Sequence, residues 1–121
     1  MEQIEDDDEL YRRLAPEHVN PDGTVNSAAF KRRKEYDPSI SVDLARLTTP
    51  QDALAARPHM GVGVLIAAVP RDLGFVVRHD PLPDNAAHAL IEGENNREKS
   101  RRLAEATVVL IQPQPRPRPA T

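Results

Sequence analysis

The longest apolar run in the chain, residues 60–69 (MGVGVLIAAV), is ten residues long and is stopped by Pro70. A helix needs about 20 apolar residues to cross a bilayer, so this run reads as the middle of a folded core and not as a membrane span. Gly61 and Gly63 argue against a helix, and Val62, Val64 and Ile66 favour a buried strand, with a helix as the alternative. The core around it has to be aliphatic, because the chain contains two Phe, two Tyr and no Trp. A chain of 121 residues buries roughly two thirds of its unfolded surface as one domain.

Other elements are short. Asp8 could cap a helical turn through Leu10, Tyr11 and Leu14 that Pro16 stops, and residues 20–23 (NPDG) form a turn before an extended segment at 24–30. Ile40 and Val42 alternate with polar residues as a strand. Thr49 followed by Pro50 opens a helix that Pro58 ends. A turn at 71–74 leads into a strand from Phe75 that ends at His79 and Asp80. Asn95 with Glu98 makes a capping pair for a helix reaching Ala106, and residues 107–111 are a closing strand. The expected fold is α+β, or a small α/β arrangement, as a single compact domain with two or three helices and a core centred on residues 62–68 and 107–111.

Both ends are compositionally different from the middle. Residues 1–9 carry six acids and no base, although the net charge of the whole chain is only −3, and such a run is expected to stay solvated and disordered. Residues 113–121 carry prolines at every second position through Pro119 together with Arg116 and Arg118. That spacing puts no P-x-x-P pair on one polyproline face, so a disordered cationic tail is expected there. The folded domain is thus assigned to residues 10–112. With no cysteine there is no thiolate metal site and no disulfide. The acidic start has no signal-peptide character, so a cytoplasmic location with no membrane partner is expected. Thirteen Arg against three Lys fits a bacterial chain from a GC-rich genome.

The residues with most chemistry lie in HDPLPDNAAH, residues 79–88, where two histidines, two aspartates and Asn85 share a proline-stiffened loop. One reading makes His79, Asp80 and His88 catalytic, with a carboxylate orienting an imidazole that acts as general base. No cofactor is predicted, but a metal reading takes His79, Asp84 and His88 as two imidazoles and a carboxylate around a divalent ion. The structural alternative has Asp84 or Asn85 capping a turn at 86–90, Asp80 bonding backbone amides, and histidines acting as buried donors. It is preferred, since no recognised ligand spacing such as H-E-x-x-H is present.

An anion site at the start of the last helix is the second candidate, with Arg97, Arg101 and Arg78 as binding residues. Glu92, Glu94 and Glu98 crowd the same end, so an exposed, ion-paired helix is favoured. KRRK at 31–34 lacks the interleaved aromatics of a nucleic-acid surface and is diluted by Glu35 and Asp37, which disfavours nucleic acid as a partner.

The segments LYRRL (10–14), DGTVNSAAF (22–30), SVDLA (41–45), HDPLPDNAAHALIEG (79–93) and SRRLAEA (100–106) together resemble a family of small uncharacterised bacterial proteins. The resemblance spans roughly residues 10–112 and implies a bacterial single-domain protein, with no activity attached. Small size, charged ends and the absence of a diagnostic motif favour a non-enzymatic module that binds a larger protein. The alternative is a small hydrolase or nuclease at His79, Asp80, Asp84 and His88.

Overall fold

The computed structural model describes residues 1–31 and 38–114. The part of KRRK beyond Lys31 and the tail from residue 115 lie outside the described residues. The fold is α+β: one six-stranded antiparallel sheet with three helices. The strands are β1 (Glu9–Leu14), β2 (Ser39–Leu44), β3 (Gly61–Ile66), β4 (Val76–His79), β5 (His88–Glu92) and β6 (Val108–Ile111), in the order β4-β5-β2-β1-β3-β6. Helices α1 (Pro50–Ala53) and α2 (Ala68–Asp72) are short, and α3 (Arg97–Glu105) is the longest. No helix among the described residues is long and apolar enough to cross a membrane.

The sheet is built around β1, which the sequence favours as a helical turn. Leu10 and Leu14 are four apart, a spacing that puts both on one face of a helix and equally on one face of a strand. Pairing decides between them: β1 runs antiparallel to β3 from Glu9↔Ile66 to Leu14↔Gly61, and both leucines are fully buried. A second strand the sequence hides is β5, where a turn at 86–90 is expected; His88 to Glu92 pair along the whole of β2 instead. Strands β2, β3, β4 and β6 fall where the alternation places them. Thr49 caps α1 by accepting the Asp52 N–H, as the Thr-Pro signal implies. For α3 the cap is one residue later than expected: Asn96 accepts from the Lys99 N–H, while Asn95 donates to the Phe30 carbonyl.

The main core lies on one face, where Leu10, Leu14, Ile40, Leu44, Ile91 and Leu103 meet Phe30 from the 3-10 turn Ser27–Phe30. Its centre is therefore β1, β2 and β5 under α3. Leu65 of β3 joins it, but Val109 of β6 only packs against its margin, which corrects the expectation of a core centred on 62–68 and 107–111. A smaller cluster of Ala53, Leu54 and Val62 lies on the other face. Gly63 is required where β3 meets β6, since a Cβ there would run into the Thr107 methyl group.

Residues 1–8, whose composition predicts a free tail, are instead bound to the domain. Ile4 is buried, the Ala67 and Ala68 N–H groups donate to the Asp8 and Asp6 carbonyls, and the Glu2 N–H donates to His79 Nδ1. Arg46 pairs with Glu2 and Asp8, and Arg71 with Asp6. One apolar residue and two arginines from distant segments are what turn an acidic run into a strap.

His18, in the 3-10 turn Pro16–His18, accepts the Ala15 N–H at Nδ1. Partial burial, reinforced by the Arg12 charge and opposed by Glu17, holds its pKa below the usual 6.5. The unfolded chain then takes up the proton first as the medium is acidified. His18 contributes stability that is present above pH about 6.5 and is lost as pH falls through the depressed folded value. In His18→Asn, whose amide oxygen can accept the same N–H, the melting temperature is expected to vary less between pH 8 and pH 5.5. An unchanged slope would assign the acid sensitivity to other groups.

Candidate functional site

The face of the sheet opposite the main core collects the polar residues of three adjacent strands. On β2, Ser41 and Asp43 alternate with buried Ile40 and Val42 and so point to this face. Asp43 lies directly across from His88 at the start of β5, and Tyr11 of β1 lies across from Asp43, which brings Arg13 to the same face. Asp80 follows β4, and its backbone N–H donates to the His88 carbonyl at 2.8 Å.

Three of these side chains form a directional relay. His88 Nδ1 lies 3.0 Å from the Asp80 main-chain oxygen and 3.1 Å from Asp80 Oδ2. A carbonyl oxygen only accepts, so Nδ1 carries the hydrogen. In the neutral imidazole Nε2 then bears the lone pair, and Ser41 Oγ, 3.2 Å away, directs its hydrogen to it. His88 is 9% exposed and Ser41 half-buried, so the relay is shielded but reachable. Both line a cleft of about 440 Å³ whose walls include Arg13, Ala53, Arg57 and Leu82, a size that suits a small ligand.

A second polar set braces the cleft floor. Asp43, 4% exposed, accepts from Asn85 Nδ2 at 2.8 Å and lies 3.8 Å from Arg13 NH1, which also donates to the Ala53 carbonyl. Asn85 in turn accepts the Ala87 N–H, and the Leu82 and Asn85 backbones bond to each other across the tight turn at Pro83 and Asp84. The proline-stiffened loop therefore delivers Asn85 to Asp43 and leaves Asp84 exposed at the cleft rim.

His79 does not join His88. It pairs with Ala89 across β4 and β5 and so faces the core side, opposite to His88. Its Nε2–H donates to the Ala86 carbonyl at 2.7 Å, and Nδ1 accepts the Glu2 N–H at 2.9 Å. Both ring nitrogens are thus occupied by backbone, as the structural reading describes. The set His79, Asp84 and His88 does not converge. Among the described residues no group of three or more His, Asp or Glu is placed to hold a metal ion.

The arginines divide in the same way. Arg78 is on the site face but is engaged by Glu92 and Asp80; the Glu92 hydrogen bond raises its pKa. Arg97 and Arg101 are on α3 and line a different groove, with Arg101 held by Glu98 and Glu105. The residues sequence reasoning missed are Ser41, Asp43 and Arg13. The alternation in SISVDL does put Ser41 and Asp43 on one outward face, but nothing in it says that this face meets His88. Set beside protein-family models, curated proteins and solved structures, the chain matches none, so the reading of this site rests on its geometry.

Proposed function

We propose that the protein is a hydrolase acting on small carboxylic esters or thioesters, with Ser41 as nucleophile, His88 as general base and acid, and Asp80 as the carboxylate that orients the imidazole. The observation that carries this reading is the one-way hydrogen-bond chain from Ser41 Oγ through His88 to Asp80. Nucleophile, base and orienting group in hydrogen-bond reach are what acyl transfer requires, whatever their order in the chain.

In the reaction, Ser41 Oγ attacks the acyl carbon while its proton passes to His88 Nε2, and the carbonyl electron pair moves onto oxygen. Collapse of that intermediate expels the alcohol or thiol, which takes the proton from Nε2. Water then attacks the acyl-serine, giving its proton to Nε2, and the released Ser41 oxygen takes that proton back. Arg13, on the same cleft and fixed by Asp43 and Ala53, is the donor assigned to the developing oxyanion. Asp80 accepts from His88 Nδ1 throughout and stabilises the transient imidazolium.

A fluorophosphonate probe tests this directly, because it phosphonylates a serine only when a base activates it. The expected result is labelling at Ser41 in the parent protein, absent in Ser41→Ala and lowered about 10²–10⁴-fold in rate in His88→Ala, with p-nitrophenyl acetate turnover falling in parallel. No adduct at Ser41, or an adduct whose rate ignores His88, overturns the assignment. The non-enzymatic reading, binding to a larger protein, draws its support from a separate part of the molecule and does not compete for these residues.

A further inference from the structure

We propose that β6 and the groove beside it receive an extended, acidic segment of a partner protein, which adds to the sheet as a seventh strand. The two edges of the sheet are unlike. At the β4 edge, Arg78 is anchored by Glu92 and Asp80. At the other edge β6 reads Val-Val-Leu-Ile, with no charge and no proline within it. Sheets that remain alone blunt such edges with charge, proline or cover, since the outward N–H and C=O groups of an edge strand are a template for another strand.

The surroundings of β6 provide for both faces of an added strand. On one face Val108 is 62% exposed and pairs across to Val64, with Ile66 beyond it 43% exposed. On the other face lies a groove of about 750 Å³, bounded by β6, α3 and residues 20–27 and walled by Val25, Ala104 and Val109. A strand laid along β6 places alternate side chains on these two sides: apolar ones over Val108 and Ile66, the others in the groove. The groove selects acids. Arg97, on its wall, makes no ion pair among the described residues, whereas Arg101 is already paired with both Glu98 and Glu105, so the positive charge open to an incoming carboxylate is that of Arg97. A strand between a sheet edge and a helix gains main-chain hydrogen bonds from the first and side-chain selection from the second.

The probe is the peptide acetyl-Glu-Val-Glu-Val-Glu-Val-amide, about 20 Å when extended, with its lysine counterpart acetyl-Lys-Val-Lys-Val-Lys-Val-amide. Amide hydrogen exchange and calorimetry on the full chain are expected to show binding of the glutamate peptide with slowed exchange across β6, and at least tenfold weaker binding of the lysine peptide. Arg97→Glu and Val108→Lys, both at exposed positions, should each weaken the glutamate peptide tenfold or more without lowering the melting temperature. Equal affinity for both peptides, indifference to Arg97→Glu, protection that maps away from β6, or no binding at millimolar peptide overturns the proposal. So does concentration-dependent dimerisation that protects β6 without peptide, which would assign the edge to a second copy. Esterase turnover is not among the readouts, so failure here leaves Ser41 untouched.

Discussion

Replacing Phe30 with alanine is expected to cost about 3–5 kcal/mol, the largest loss of any single apolar truncation in this domain. Phe30 is fully buried and is the bulkiest such side chain. It packs into the main core with Leu103 of α3, and Arg12 stands with its guanidinium carbon 5.8 Å from the ring centroid. Its carbonyl also accepts from Asn95 Nδ2, which ties the start of α3 to the turn before it. A domain of this size has a total stability of about 5–15 kcal/mol, so the variant should unfold at a clearly lower urea concentration. A midpoint shift equivalent to less than about 1 kcal/mol would mean that α3 is held on the sheet by contacts other than this ring.

Deleting residues 2–7 is expected to cost about 3–5 kcal/mol, where removal of an unbound tail would cost nothing measurable. Two terms make up most of the loss. Ile4 leaves a site where it is 5% exposed, worth about 1.5–3 kcal/mol, and the buried His79 loses the N–H that satisfies Nδ1, worth about 1–3 kcal/mol. The arginine pairs on the strap are exposed and screened, and add little. Ile4→Ala should therefore reproduce a large part of the deletion, while Arg71→Ala should lose far less. Equal effects of these two substitutions would show that charge, not burial, holds the strap.

What is legible in the sequence follows from the range of the forces involved. Strand β3, the Thr49 cap and the α+β class come from neighbours in sequence, and local periodicity reports them well. The sequence misleads at β1 because Leu10 and Leu14 satisfy both periods, and only β2 and β3, decided elsewhere in the chain, break the tie. The strap is hidden because one isoleucine among six acids carries no pattern; its partners Arg46, Arg71 and His79 are 44, 67 and 77 residues away from Glu2, Ile4 and Glu2 respectively. The loop 79–88 stands out in the sequence as the place where chemistry collects, but pairing of β4 with β5 sends its two histidines to opposite faces. His88 then finds Ser41, 47 positions away, in place of His79.

The pairing of β2 with β5 also makes the site a test of alignment within the sheet. Ser41 meets His88 because Asp43 is opposite His88 and Ser41 opposite Leu90. A slip of β2 by one residue would turn Ser41 and Asp43 into the core and bring Ile40 and Val42 to the cleft. Such a molecule would retain its strands, and a spectrum of backbone structure would barely register the error. Under the proposed assignment of Ser41 as nucleophile it would not react with a serine-directed probe, so the fraction of molecules labelled would count those in correct register.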